Sequence, residues 1–203
     1  MDTAIGVSTH MGWACVAAVL LDAGRPGRVR TFRLETGDPR QPDSIEPYHA
    51  AGGYRGATRV RPPPDPERVV RAGLGKQRRH TALHLARLLG ELNDWPRPAR
   101  AALFVGRGRE ATTLERVLSS HAQIHVAEGN AVRESIRQAL TDRDIPLWEV
   151  DRRDLPREVE ARLALDPDTA DADLRALRPD NGGSWRQEER HCALAAWLAA
   201  AAR

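Results

Sequence analysis

The sequence predicts an α/β protein on a mixed sheet, with N-terminal antiparallel strands and flanking helices. Three observations carry this reading. The first 35 residues are short apolar runs separated by polar and turn residues. The run Ala101-Ala102-Leu103-Phe104-Val105-Gly106 is continuously apolar and ends in glycine, as a strand buried on both faces does. Beyond it, helical and strand patterns alternate to the C-terminus.

Residues 4–20 hold two apolar runs around a polar break at Ser8-Thr9-His10. Gly24-Arg25-Pro26-Gly27 is a turn signal, and Val29 to Leu34 alternates apolar and polar residues. Two or three antiparallel strands are therefore expected before residue 36. Residues 36–66 read as a loop, since seven of the 14 prolines lie between Pro39 and Pro66. Its length suggests an arm or lid bordering a functional cleft, with Tyr48, His49 and Tyr54 as contacting groups. Residues 67–93 are helical in pattern, with Ala82, Leu85, Ala86, Leu89 and Leu92 along one stripe. Residues 112–142 read as one long helix, against a rival strand over 123–127. A strand at 145–150, a helix at 155–165, an acidic loop-like stretch at 166–183 and an alanine-rich helix at 187–202 complete the chain.

The length of 203 residues suits one domain over 1–203, with a Pro/Gly-rich insertion at about 36–66. No run of 18 apolar residues is present, so no membrane span is expected, and the N-terminus lacks a basic signal-like segment. Cys15 and Cys192 sit in apolar runs and read as buried free thiols in a reducing cytoplasm. The formal charge is +3, but 28 acidic residues nearly balance it. Lys76 is the sole lysine, a bias that looks genomic rather than functional. Basic character alone is therefore weak support for nucleic acid as a partner.

The stretch from Ser119 to Gly129 is the most informative. On a helix, His121, His125 and Glu128 stand at i, i+4 and i+7 on one face and can converge on one divalent metal. On a strand, residue 128 would point away from the other two. Ser8-Thr9-His10 offers two hydroxyls beside an imidazole, suited to phosphate binding or proton transfer. Glu188, Glu189 and His191 open the last helix, where acidic residues also suit the helix dipole. Arg55, Arg78, Arg79, Arg107 and Arg109 are the basic side chains assigned to nucleic acid, with His80 and His84 on the same basic helix face as Arg78 and Arg79.

Ile5-Gly6-Val7 followed by Gly12-Trp13-Ala14, the strand 144–150, and Gln187 to Ala195 together resemble the ribonuclease H-like superfamily, in its RuvC-like Holliday-junction resolvase branch. The resemblance implies a ribonuclease H-like mixed sheet spanning most of the chain. It implies a site at the end of the first strand, facing the last helix, and thereby groups Ser8, Thr9, His10, Glu128, Glu188 and Glu189 as candidate catalytic residues. Such nucleases hold two Mg²⁺ ions on four carboxylates. Here Ser8 occupies the first-strand aspartate position, Cys192 replaces the acid before Ala-Leu-Ala, and Gly106-Arg107-Gly108-Arg109 follows the fourth strand, with Glu110 only afterwards. Separately, Gly73-Leu74-Gly75-Lys76-Gln77 resembles the Gly-Arg-Gly-Gly-Gln loop of translation release factors, which implies Gln77 as a peptidyl-tRNA hydrolysis residue.

The expectation is a nucleic-acid-associated ribonuclease H-like protein, with a diverged metal-dependent nuclease as its catalytic form. The alternatives are a non-catalytic binding or scaffolding protein of the same fold and a release-factor-like hydrolase. A divalent metal is the one cofactor considered.

Overall fold

The computed structural model describes residues 1–55, 58–106, 108 and 111–201. The chain opens with three long strands, β1 (Asp2–His10), β2 (Trp13–Asp22) and β3 (Arg25–Glu35), paired antiparallel. Both hairpin loops have two residues. The β2–β3 turn is Ala23-Gly24, each with positive φ, the geometry whose twist matches that of the flanking strands. The turn thus falls two residues before the expected position, and Pro26 lies inside β3. That is tolerated because β3 is an edge strand and a register shift accompanies Pro26.

The span expected to be a loop holds a 3-10 turn (Pro42–Ser44), α1 (Pro47–Ala51) and a small hairpin of β4 (Tyr54–Arg55) and β5 (Thr58–Arg59). Its prolines did not prevent helix, because Pro42 and Pro47 each start one, where a missing N–H costs nothing. Pro47, His49 and Ala51 are buried, so α1 is packed against the body.

Next come α2 (Pro66–Gly90), β6 (Pro98–Phe104), α3 (Leu114–Leu118), α4 (His121–Thr141) and β7 (Leu147–Val150). The expected long helix is thus two, broken at Ser119-Ser120, and residues 123–127 are helical. Then α5 (Leu155–Leu163), α6 (Pro167–Ala176) and α7 (Gln187–Ala201) follow. Helix α6 occupies the first half of the stretch expected to be loop-like over 166–183, and 177–183 holds no helix. Asp166 caps α6 through the Asp168 N–H and Pro167 opens it, so its acidic start is a helix-initiation signal.

The sheet order is β3-β2-β1-β6-β7, with β6 and β7 parallel to their neighbours. Both faces are covered. Ala4, Cys15, Ala17, Val19, Ala102 and Val150 pack under α5, α6 and α7. Ile5, Val7, Val16, Ala18, Ala101 and Leu103 pack under α2 and α4. The alternation of Ala4, Ile5 and Val7 fixes which face each β1 residue serves. Gly6, Ser8 and His10 face α7, while Thr9 faces the other layer.

Gly6 decides how closely α7 sits. A Cβ there would lie 1.9 Å from the Cys192 carbonyl oxygen, so only glycine admits this approach. Small residues of α7, Ala193, Ala195, Ala196 and Ala199, are fully buried along it. The close seating carries the first turn of α7 to the end of β1. Among the described residues, no helix is long and apolar enough to cross a membrane.

Candidate functional site

Two polar constellations stand out, one on each face of the sheet. The first lies at the C-terminal end of β1. The Ser8 hydroxyl donates to Glu188 Oε1 at 2.7 Å, and His10 Nε2 lies 2.6 Å from the same oxygen. Arg152, just beyond the parallel strand β7, donates to Ser8 Oγ at 2.9 Å and lies 3.7 Å from Glu188. Burial alone would raise the Glu188 carboxyl, but Ser8, His10 and the nearby Arg152 charge outweigh it and hold it below the usual carboxylate range.

This end of the sheet is also aromatic and basic. His10 stacks on Trp13, with centroids 4.1 Å apart and an interplanar angle of 11°. The Arg33 guanidinium lies over the other part of that stack, 4.0 Å from the Trp13 centroid. Arg152 lies over Phe104 at 4.9 Å. His191, one turn into α7, is pushed below the usual histidine range by burial and then by Arg152. Its Nδ1 is buried without a protein partner.

Of the sequence candidates, Ser8, His10 and Glu188 therefore meet. Thr9 points into the opposite layer by strand alternation. Glu189 accepts from the Arg186 N–H and closes the start of α7 as a capping carboxylate. Cys192 is fully buried and directs its thiol to the Cys15 carbonyl at 3.6 Å. Arg152 was missed. Its signal was present in the sequence: an Asp-Arg-Arg run directly after a short strand pattern.

The second constellation joins α1 to the start of α4. His49 Nε2 lies 3.3 Å from His121 Nε2, and the ring centroids of His121 and His125 are 4.5 Å apart. One ring nitrogen from each of His49, His121 and His125 falls within 4.8 Å of the others. Glu128 is buried at 1% exposure. Its Oε1 accepts from the backbone N–H groups of Tyr48 and His49 at 2.8 and 2.9 Å and lies 3.2 Å from His49 Nδ1. The geometry groups His49, not Glu128, with His121 and His125, and sets Glu128 behind His49. Burial pushes the Glu128 carboxyl up, and the bonds it accepts do not reverse this. The bond to Glu128 pushes His49 up, and burial pushes His125 down. Tyr54 stacks on His121 with centroids 5.0 Å apart.

Glu128 is thus on the α2/α4 side of the sheet and belongs to this second cluster, while Glu188 serves the β1 end. Arg78 and Arg79 are exposed on α2, and Arg78 lines a groove of about 310 Å³ with Tyr48, Arg133 and Arg137. Arg107 and Arg109, Glu110 and the side chain of Arg55 lie outside the described residues. Gln77 is fully buried inside α2, with both side-chain polar atoms unpartnered. It cannot serve as the exposed loop glutamine that the release-factor resemblance implied.

No family model matches the chain, and no curated protein matches it. Solved structures do. Thermus thermophilus RuvC in complex with a Holliday junction substrate matches at TM-score 0.51 and 12% identity, covering 99% of this chain and 94% of that one. Another Thermus thermophilus RuvC structure matches at TM-score 0.48 and 12% identity, covering 98% and 93%. The chain has the ribonuclease H-like fold of RuvC, at 12% sequence identity. The expected mixed sheet is the one observed.

Among the described residues, the β1 end does not offer the carboxylates that two hard divalent ions need. Such ions require several carboxylate oxygens. Here one carboxylate already accepts from a hydroxyl and contacts an imidazole, and a guanidinium stands beside it. Among the described residues, no three acidic, histidine or cysteine side chains converge at Glu188.

Proposed function

We propose that the chain binds nucleic acid at the C-terminal edge of its sheet and reads the phosphate backbone there. One observation carries the reading: the Arg33–Trp13–His10 stack adjoins the Ser8–Arg152–Glu188 network at the end of β1. Arginine and serine donate to phosphate oxygens, and the outer planes of the stack, the Arg33 guanidinium and the His10 ring, can take an unstacked base. Arg152 is held in place by Ser8 and Phe104 while its side chain remains 44% exposed, so it is oriented before a ligand arrives. The fold shared with a junction-bound RuvC supports branched DNA as the first ligand to try.

The contact between His10 and Glu188 favours a second reading, a diverged nuclease. A hydrogen-bonded imidazole and carboxylate can move a proton at a phosphodiester without the carboxylate cluster that Mg²⁺ needs. Fluorescence anisotropy with single-stranded, duplex and four-way DNA, over a salt series and with and without Mg²⁺ or Mn²⁺, tests both. Binding that weakens steeply with salt and yields no products supports the binding reading. Cleavage lost in Glu188→Gln would replace it with the nuclease reading. Absence of binding to all three ligands ends both.

A further inference from the structure

We infer that His49, His121 and His125 hold a divalent cation of the zinc type, with a coordination position left open to solvent. This site is separate from the β1 end and stands whether or not nucleic acid binds there.

Three features of the cluster point the same way. The first is spacing. Two imidazole nitrogens on one tetrahedral zinc, each at about 2.0–2.1 Å, are separated by about 3.3 Å. His49 Nε2 and His121 Nε2 are 3.3 Å apart. His121 and His125 come from successive turns of α4, and His49 closes the triangle from α1.

The second is the carboxylate behind the cluster. Glu128 Oε1 faces His49 Nδ1 while His49 Nε2 faces His121. A carboxylate that accepts the Nδ1–H hydrogen bond fixes the tautomer and leaves the Nε2 lone pair directed at the cluster centre. The same oxygen accepts two backbone N–H groups of α1 and so fixes the helix that carries His49. Burying a carboxylate is costly without partners. Here its partners are the groups that aim a metal ligand.

The third is access. His49 is buried, but His121 and His125 are exposed. Three imidazoles on a wall open to solvent leave room for a water or a ligand oxygen as the fourth donor, as in zinc sites with three protein ligands. An all-imidazole donor set suits zinc, cobalt or nickel better than magnesium or calcium. The ion would pin α1 to α4.

The test uses the full metal-free chain titrated with Zn²⁺, and with Co²⁺ for its visible absorption. The expected result is one ion per chain, four-coordinate Co²⁺ bands, and a rise in melting temperature with added Zn²⁺. His125→Ala should lower the affinity by about 100-fold or more, and Glu128→Gln by about 10- to 100-fold. His121 is exposed, so His121→Ala keeps the test valid should the Glu128 variant not fold. His80 and His84 stack at 4.2 Å on α2 and form a competing histidine pair. His80→Ala should leave the affinity unchanged. Two outcomes overturn the proposal: no stoichiometric binding at micromolar ion, or binding that survives His121→Ala and His125→Ala but disappears in His80→Ala.

Discussion

The two polar clusters use carboxylates in opposite ways. At the β1 end, Glu188 of α7 is part-exposed and meets its partners side chain to side chain, from β1 and the turn after β7. In the histidine cluster, Glu128 is buried and holds backbone N–H groups as well as an imidazole. The first is an assembly of distant elements that exists only while α7 is seated on β1. The second is a local clasp between two helices. A surface network made from long side chains is energetically modest and can be rearranged by a ligand. A buried carboxylate with several donors is costly to disturb. The contrast separates a face that can exchange partners from one that fixes geometry.

Gly6→Ala should break the first cluster hardest. The new methyl group meets the Cys192 carbonyl, so α7 must move, at a cost of about 3 kcal/mol or more. Urea unfolding would read this as a lower midpoint, and binding at the β1 end should fall with it. Metal binding by the folded fraction should persist, since α7 takes no part in that cluster. Equal loss at both clusters would show that they are coupled.

Glu128→Ala should cost about 2–3 kcal/mol, because the Tyr48 and His49 N–H groups lose their acceptor. Hydrogen exchange should report faster opening of residues 47–51, with the β1–β2 hairpin unchanged. Uniform loss of protection would instead make Glu128 part of the global core.

Arg152→Ala should weaken DNA binding about tenfold and lower the salt slope by about one, with little change in stability. An unchanged slope would remove Arg152 from the phosphate contacts.

The pH dependence is a smaller effect with a definite sign. Glu188 is held below its ordinary range in the folded state, so the unfolded chain takes up its proton first as pH falls. Its contribution is complete above about pH 4.3 and is lost as pH falls through the lower folded value. His191 is also lowered, so its protonation in the unfolded chain erodes stability as pH falls below about 6.5. Urea midpoints from pH 7 to pH 3 should therefore decline in two stages. Glu188→Gln should shrink the lower stage and His191→Gln the upper, while Glu158 and His125, also lowered, keep part of each. A midpoint independent of pH would count against both assignments.

The smallest effect is expected at Arg157, whose exposed side chain pairs with Asp154 and Glu158. Arg157→Ala should change stability by less than about 0.5 kcal/mol.

The sequence by itself determined the strands and the α/β class. Alternation in Val29 to Leu34, the apolar run at 101–106 and the stripe on α2 each report burial, and burial is periodic along one element. It also placed His121 and His125 on one face of a helix, because that spacing is local. It misread the short elements within 36–66 and the helix at 167–176, where proline and acidic residues mark helix starts as well as loops and only packing separates the two. Which side chains meet was decided by tertiary structure. His49 lies 72 positions from His121, and Arg152 lies 144 from Ser8. No periodicity links such pairs. Their meeting depends on a glycine that lets α7 touch β1, on the parallel strand β7 ending at the same edge as β1, and on a buried carboxylate that fastens α1 to α4. These are contacts between surfaces, and a linear pattern does not specify how surfaces dock.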